Sequence, residues 1–378
     1  MYDCVILGVG GIGSAAMLSA AQRGWKVLGL EQFGSAHDKG SSHGRTRIIR
    51  TAYFEHPNYV PLAREAWDRW HAMQADSSAK LIQQTGLLQA GDANGEVIQG
   101  VLRSAQEHAI PIQQWSAKET MERFPVLNLP EDVACIYEEQ AGFLLIENCV
   151  AQQIKMASDA GAEFRANAKV TGLTICDDES VRVHLGDETI ATKRLIVCVG
   201  PWAPAFFDKL PIDMQIVRKQ QQWFQLDRID IKYENGFPAF LIETEDKCFY
   251  GFPEIDYLGM KIAEHSGGQS VPSPDTVDRE CDLDDLRATE SFMDSYFHFK
   301  RRRMVHQSTC MYTMSQDGHF IIDHHPDSKN VVFAAGMSGH GFKFAPLIGE
   351  RLVRLLVGEQ DDQWNFLRME GRSLQANK

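Results

Sequence analysis

Asp3-Cys-Val-Ile-Leu-Gly-Val-Gly-Gly-Ile-Gly13 is the stretch on which the fold turns, and its meaning depends on the residues C-terminal to it. Residues 3–7 form a short apolar run of strand length. Ser14-Ala-Ala-Met-Leu-Ser-Ala-Ala-Gln-Arg23 has the composition of a helix, and Gly24 stands just past it, where glycine commonly ends helices. Trp25-Lys-Val-Leu-Gly-Leu30 reads as a second strand that closes on Glu31. Strand, glycine turn, helix and strand in that order make a complete β-α-β unit.

The glycine spacing serves a chemical purpose. Gly8 permits a tight turn, Gly10 lets backbone approach a pyrophosphate, and Gly13 allows helix and strand to pack closely. Gly8, Gly10, Gly11 and Gly13 are therefore expected to border a dinucleotide whose phosphates face the positive end of the helix dipole. Glu31, 23 residues after Gly8, stands where a carboxylate accepts hydrogen bonds from a ribose. A lone G-x-G-x-x-G is weak evidence. Enclosed between two strands, with an acid ending the second, it is strong.

Composition narrows the class. A chain of 378 residues, 44% hydrophobic and 24% charged, has material for two globular domains or one large one. No run approaches the roughly 18–20 apolar residues of a membrane span. Met1-Tyr2-Asp3 leads straight into the first strand without an export signal, so a cytoplasmic protein off the membrane is expected. A formal net charge of −13 disfavours nucleic acid as a partner. The basic run Lys300-Arg-Arg-Arg303 reads either as an anion patch or, more simply, as a solvated face. Eight cysteines without a C-x-x-C pair argue against a zinc site and a disulfide scaffold, and no metal is expected.

Further along, residues 61–75, 97–108 and 145–160 look helical, 82–90 looks like one strand, and 163–171, 181–185 and 194–199 alternate as strands. Leu195-Ile-Val-Cys-Val-Gly200 and Val331-Val-Phe-Ala-Ala-Gly336 are buried-strand patterns ended by glycine, suited to a parallel sheet beside a nucleotide. Residues 216–265 are strand-rich, and a last helix is expected from about 346 to 357. The expected fold class combines α/β with α+β. A discontinuous Rossmann-like nucleotide domain comprises 1–80, 145–215 and 315–378, and a substrate domain on an antiparallel sheet, 81–144 and 216–314, is inserted in it.

The fingerprint alone does not separate nicotinamide from flavin. Further blocks do: Gly40-Ser-Ser-His-Gly-Arg-Thr-Arg-Ile-Ile-Arg50, Tyr250-Gly-Phe-Pro253, Cys310-Met-Tyr-Thr313, His319-Phe-Ile-Ile-Asp323 and Ser338-Gly-His-Gly-Phe-Lys-Phe344. In that order after Gly8–Gly13, they resemble the monomeric sarcosine oxidase and N-methyltryptophan oxidase family of glycine-oxidase-like FAD amine oxidases, over essentially the whole length. The resemblance implies an FAD-binding nucleotide domain, with the flavin carried on Cys310 through a thioether to its 8α carbon. Such a bond needs a thiolate in an electropositive pocket. His306 and the Arg301–Arg303 run are cationic residues nearby in sequence, while a small buried core residue is the other reading of Cys310.

The same resemblance implies roles for further residues. Arg50 and Lys343 would hold a substrate carboxylate, a task that suits cations. Lys261 would be the cation beside which O2 is reduced, and His265 the histidine next to the substrate, tuning the amine's protonation or simply hydrogen-bonding it. Arg47 and Tyr250 join the catalytic group, Tyr250, Tyr312 and Leu241 wall the substrate cavity, and Gly339 keeps backbone close to ligand and ring. His43, Thr46 and Arg47 would contact the flavin, Ser41 and Ser42 the pyrophosphate, with Val170, Gly200, Trp202 and Lys343 completing the cofactor set.

Blander readings stand beside these: Arg50 in an ion pair, Lys261 and Lys343 exposed, and Tyr250, Tyr312 and Leu241 as core. Lys343 lies between Phe342 and Phe344 after two glycines, a poor setting for a surface lysine. Three departures from the family are Arg45, where Asp is common, Ser42, in place of histidine, and the Arg301–Arg303 run, more basic than expected.

The expected function is an FAD-dependent oxidase of secondary (N-methyl) amino acids such as sarcosine. It would yield an imine, then the demethylated amino acid and formaldehyde, with O2 reduced to H2O2 by a monomeric enzyme. The alternatives are a flavin oxidase or dehydrogenase of a cyclic imino acid or a larger N-methyl amino acid, an NAD-dependent dehydrogenase, and a non-catalytic nucleotide-binding module.

Overall fold

The computed structural model describes residues 1–372. Its central strand is Cys4–Leu7, paired in parallel with Val27–Leu30 on one side and Leu195–Val197 on the other. Glu163–Arg165 and Ser328–Ala335 extend the sheet outward in parallel, and Ile321–His325 closes one edge antiparallel. Side chains along Cys4–Leu7 alternate between two cores. Cys4 and Ile6 join the cluster that includes Ala16, Tyr59 and Leu352 of the covering helices, whereas Val5 and Leu7 join Leu28, Val183 and Phe333. With both faces covered, the strand is apolar at every position rather than every second one.

Helix Gly11–Gln22 packs against the last long helix, Ala345–Leu356, through small residues. A Cβ added at Gly349 would come within 2.5 Å of the Ala15–Ala16 backbone, so the crossing depends on glycine and alanine. The helices read at 61–75, 97–108 and 145–160 occur as Tyr59–Ala75, Glu96–His108 and Ile146–Asp159.

Two strand expectations are corrected. Residues 82–90 are not one strand. Ile82–Gln84 pairs with Gly142–Leu145, which pairs in turn with Thr46–Ile49, while Leu87–Gly91 enters a different sheet. The break falls at Gly86, whose φ of +74° favours glycine and whose Cβ would lie 2.1 Å from the Tyr137 hydroxyl. Residues 163–171 stop being a strand at Arg165, because Asn167 turns left-handed and Ala168, Lys169 and Val170 run along a cavity instead. The next three strands, Gly172–Ile175, Val181–Leu185 and Glu188–Thr192, form an antiparallel meander.

The second large sheet has nine strands. Its spine is Met214–Leu226 paired along its whole length with Arg302–Ser315. Ala239–Glu243, Cys248–Phe252 and Met260–Glu264 make an antiparallel run, but Ala239–Glu243 joins Leu87–Gly91 in parallel, so the sheet is mixed. Helix Leu283–Tyr296, which the sequence patterning did not announce, covers this sheet. Its signal was Asp282, whose carboxylate caps Asp284 N and Asp285 N. That helix also accounts for part of the basic run: Arg302 pairs with Glu290 and Asp294, and Arg303 donates to Gln225. No helix among the described residues is long and apolar enough to cross a membrane.

Candidate active site

A cavity of about 350 Å3 lies between the two sheets, reaching from the first glycine turn to the strand that carries Cys310. Gly8, Gly10, Gly11, Glu31, Ser41, Ser42, Arg47, Val170, Gly200, Trp202, Cys310, Tyr312 and Gly339 line it. The glycines do what their spacing requires. A Cβ at Gly13 would lie 1.8 Å from the Gly8 carbonyl, and one at Gly8 would lie 2.4 Å from the Cys198 carbonyl. The N-cap residue of helix Gly11–Gln22, Gly10, has no side chain to cap it and the first turn holds no acid, so apart from the Gly11 N–H its dipole end is left for an anion. Ser42 Oγ accepts the Gly11 N–H at 3.0 Å, while the Ser41 hydroxyl donates to the Met311 carbonyl at 2.7 Å.

Glu31 is held rigidly at the second strand's end. Its oxygens accept Val9 N at 2.9 Å and Phe33 N at 3.1 Å, and His37 lies at 3.2 Å. Burial opposes ionisation of this carboxyl, yet hydrogen bonds from His37 and these amides hold it below the ordinary carboxylate range. Helix end, glycine turn and ionised carboxylate together fit a dinucleotide.

Cys310 sits buried with Arg47 against its sulfur and Lys261 nearby. Arg47 Nη2 lies 3.2 Å from its Sγ and also donates to the Ser41 carbonyl at 3.0 Å, while Nη1 donates to the Thr46 carbonyl at 2.8 Å. The positive charge near this sulfur comes from Arg47 and Lys261. His306 and the Arg301–Arg303 run are not its source. His306 stands four residues away along an extended strand, roughly 13 Å at about 3.3 Å per residue, with its ring against Trp223.

Arg50 and Lys343, 293 residues apart in sequence, both lie against one ring. The Arg50 guanidinium lies 4.3 Å and the Lys343 ammonium 5.1 Å from the centre of Tyr53. Both cations are buried, which removes the exposed reading of Lys343. Arg50 Nη2 bonds both oxygens of Glu55 at 2.8 and 2.7 Å, and Nη1 donates to the Ala52 carbonyl. Glu55 was not singled out in the sequence, because Tyr53-Phe-Glu-His56 carries no motif. Burial raises the Glu55 pKa and the charge of Arg50 lowers it, for a net value of about 2. Lys343 Nζ donates to Tyr53 Oη at 3.2 Å and to the His340 carbonyl at 2.9 Å. Burial and the charge of Arg50 push this lysine down to about 7.

His265 comes from the strand edge to the same place. Its Nδ1 lies 3.4 Å from Tyr312 Oη, and its ring stands edge-on to Phe54 and Tyr250. Burial holds it near 4 and therefore neutral at physiological pH. Leu241 and Tyr250, paired across adjacent strands, form a wall of one apolar cluster with Phe252 and Ala263. Gly339, at φ +81°, backs directly onto Tyr312, whose ring lies 2.4 Å from where a Cβ would stand.

Lys261 is fully buried rather than exposed. Its Nζ donates to the carbonyls of Gly44 at 2.6 Å and Thr46 at 3.1 Å, between the rings of Trp223 and Phe252. Burial and the nearby Arg47 charge lower its pKa well below the ordinary lysine value. The unusual Arg45 adds to this field and forms an ion pair with Asp256. His43 and Thr46 do not line the cavity. They lie in the layer behind it, where His43 Nε2, Thr46 Oγ1 and the Gln221 amide are buried without partners. Gly13, Arg50, Tyr250, Leu241, Lys261, His265 and Lys343 likewise stand outside the cavity lining.

Fold and site together define an FAD-dependent oxidoreductase. The chain belongs to the FAD dependent oxidoreductase (DAO) family, whose model matches residues 3–355. It is 33% identical over 361 residues to the monomeric sarcosine oxidase of Bacillus sp. (strain B-0618), covering 94% of this chain and 92% of that one. It is 34% identical over 357 residues to the N-methyl-L-tryptophan oxidase of Salmonella arizonae, covering 92% and 93%. Among solved structures, NikD, described as an unusual amino acid oxidase essential for nikkomycin biosynthesis, superposes with a TM-score of 0.86 at 20% identity over 100% of this chain and 99% of that one. FAD thereby replaces the nicotinamide alternative, and enzyme replaces binding module.

Proposed function

We propose that this chain is an FAD-dependent oxidase of N-methyl amino acids, sarcosine being the simplest. The observation that carries the reading is the meeting of Arg50 and Lys343 on Tyr53, next to His265 and Tyr312 and within reach of the cavity's Cys310 region. Two buried cations at one spot suit a carboxylate, and Tyr250 and Leu241 offer an apolar wall to the rest of a small substrate. In this reading the substrate carboxylate takes the place that Glu55 holds on Arg50. Neutral His265 hydrogen-bonds the amine. Lys261, with two N–H groups on carbonyls, keeps one for the oxygen-reacting side.

FAD, when bound, supplies the acceptor for two electrons, which pass on to O2 to give H2O2. The glycine turn and Glu31 would hold its adenosine diphosphate, and Arg47 and Cys310 its ring, with Cys310 as the thioether carrier. The same reading divides the chain into a discontinuous cofactor domain (1–80, 145–215, 315–378) and a substrate domain (81–144, 216–314). It also makes the protein a cytoplasmic monomer, in line with relatives named monomeric sarcosine oxidase.

The test is anaerobic mixing of the yellow holoenzyme with sarcosine, N-methyl-L-tryptophan and L-proline. Bleaching by an N-methyl amino acid, and recovery of colour with H2O2 on admitting air, is the expected result; no bleaching by either N-methyl compound overturns the reading. Acid precipitation tests the carrier: colour stays with the pellet of the parent and leaves with the supernatant of Cys310→Ala.

A further inference from the structure

Lys219 is a buried lysine that no motif singled out. It lies on the long strand Met214–Leu226, directly opposite Cys310 in the antiparallel pair. Its Nζ donates to three successive carbonyls, those of His265 at 2.8 Å, Ser266 at 2.5 Å and Gly267 at 2.6 Å. An ammonium has three N–H groups, and all three are used. The loop is shaped to converge on that point. Gly267 and Gly268 both have positive φ, and a Cβ at Gly268 would lie 2.6 Å from Val217 Cγ1. The backbone N–H of His265 is held as well, by the Cys248 carbonyl at 2.6 Å.

The same ammonium lies 5.2 Å from the centre of the Tyr312 ring, whose hydroxyl meets His265 Nδ1. One cation thus touches both members of the His265–Tyr312 contact. A buried ammonium is costly to desolvate, and a glutamine would cap two carbonyls at far lower cost. Retaining the lysine places a fixed positive charge behind His265.

We propose that Lys219 is a positioning residue: it fixes the His265 loop through its three carbonyl bonds, sets its own positive charge behind the imidazole and keeps the ring aimed at the substrate. The proposal rests on His265 being the substrate-side histidine. The charged groups around His265 are Glu55, Arg50, Lys343 and Lys219, with the Tyr312 hydroxyl and the Tyr250 ring beside it. Those around Lys219 are Glu264, Asp285, Cys248 and Lys247, and burial brings its own pKa to about 8.

The experiment uses holoenzyme carrying Lys219→Met, Lys219→Arg, His265→Gln, and Lys219→Met with His265→Gln. Flavin reduction by sarcosine is followed anaerobically by stopped flow across pH, and reoxidation by O2 separately. Lys219→Met is expected to slow reduction at least tenfold and to move its acid limb to higher pH, with reoxidation within twofold of the parent. Lys219→Arg, which keeps the charge, is expected to restore the acid limb. In the His265→Gln background, Lys219→Met is expected to cost less than threefold. Full multiplication of the two effects, or an acid limb unmoved in Lys219→Met, overturns the proposal. An unchanged reduction rate in His265→Gln alone overturns the His265 assignment, and is separately recognisable. If Lys219→Met does not fold, Lys219→Gln carries the same comparison.

Discussion

Replacing Glu55 with glutamine is expected to weaken the resting enzyme while strengthening its grip on carboxylates. Arg50 is 3% exposed and has Glu55 as its carboxylate partner. Burial raises the Glu55 pKa and Arg50, joined by His340, Lys343 and His265, lowers it, for a net value of about 2 against an ordinary 4.5. At about 1.4 kcal/mol per pKa unit, that difference corresponds to about 3 kcal/mol of stability. Because the folded value is the depressed one, this stability is fully present above about pH 4.5 and is lost as pH falls through about 2. Breaking one side of a buried ion pair typically costs about 3–5 kcal/mol, a figure of the same size. The assay is thermal melting of parent and Glu55→Gln holoenzyme at neutral pH, each titrated with propionate. The variant should melt lower without ligand and gain more from propionate, because an added carboxylate no longer displaces a resident one. Each 1.4 kcal/mol so released tightens propionate binding about tenfold. Equal propionate shifts in the two proteins, or a variant as stable as the parent, would refute the idea that Glu55 holds the substrate's place.

Lys261→Met should slow reoxidation by O2 about a hundredfold or more, the usual size of losing one placed electrostatic group, while anaerobic reduction stays near the parent rate; equal losses in both half-reactions would count against an oxygen-side role. Gly13→Ala puts a Cβ 1.8 Å from the Gly8 carbonyl, where backbone rather than a flexible side chain must yield. A loss of about 1–3 kcal/mol and a colourless or weakly yellow protein are expected, measured by melting and by the flavin absorbance of purified protein. Lys343, at about 7, is mostly neutral at pH 8, and an adjacent carboxylate favours its charged form. Propionate binding at pH 8 should therefore take up as much as about one proton, seen by calorimetry in buffers of different ionisation enthalpy, and Lys343→Met should abolish the uptake.

The sequence made the nucleotide half legible because its constraints are local. Gly8 to Glu31 is contiguous, and each residue's task is set by its neighbours along the chain. The catalytic half is assembled from distant strands, so its partners could not be read in the same way. Proximity in sequence pointed to His306 and Arg301–Arg303 as neighbours of Cys310, but an extended strand carries them away and brings in Arg47 from the other end of the chain. Arg218-Lys-Gln-Gln-Gln222 is another instance. These five polar residues lie in the stretch read only as strand-rich, and all are buried, on a strand paired along its length with Arg302–Ser315. Arg218 reaches one way, to the carbonyls of Asp278 and Glu280, and Lys219 the other, to the His265 loop. Period-two alternation was present, but both faces were polar, so hydrophobicity could not show it.

The charge distribution explains why Glu55 stands apart. The chain carries a net charge of −13, yet it gathers five basic side chains around one site: Arg50, Lys219, Lys261 and Lys343 buried, and Arg47 half-buried. Buried cations persist only where acceptors replace water. Lys219 and Lys261 are satisfied by backbone carbonyls, Lys343 by a carbonyl and the Tyr53 hydroxyl, and Arg47 by two carbonyls and the Cys310 sulfur. None of those acceptors neutralises its cation with a carboxylate, so the site as a whole attracts an anion. Of these five, Arg50 alone is paired within salt-bridge distance with a carboxylate of the described residues. On the proposed reading a substrate carboxylate exchanges with Glu55 on Arg50, in a place that Lys343, His265 and His340 also surround. On that reading a zwitterion's carboxylate replaces a carboxylate, and its ammonium meets the one just released.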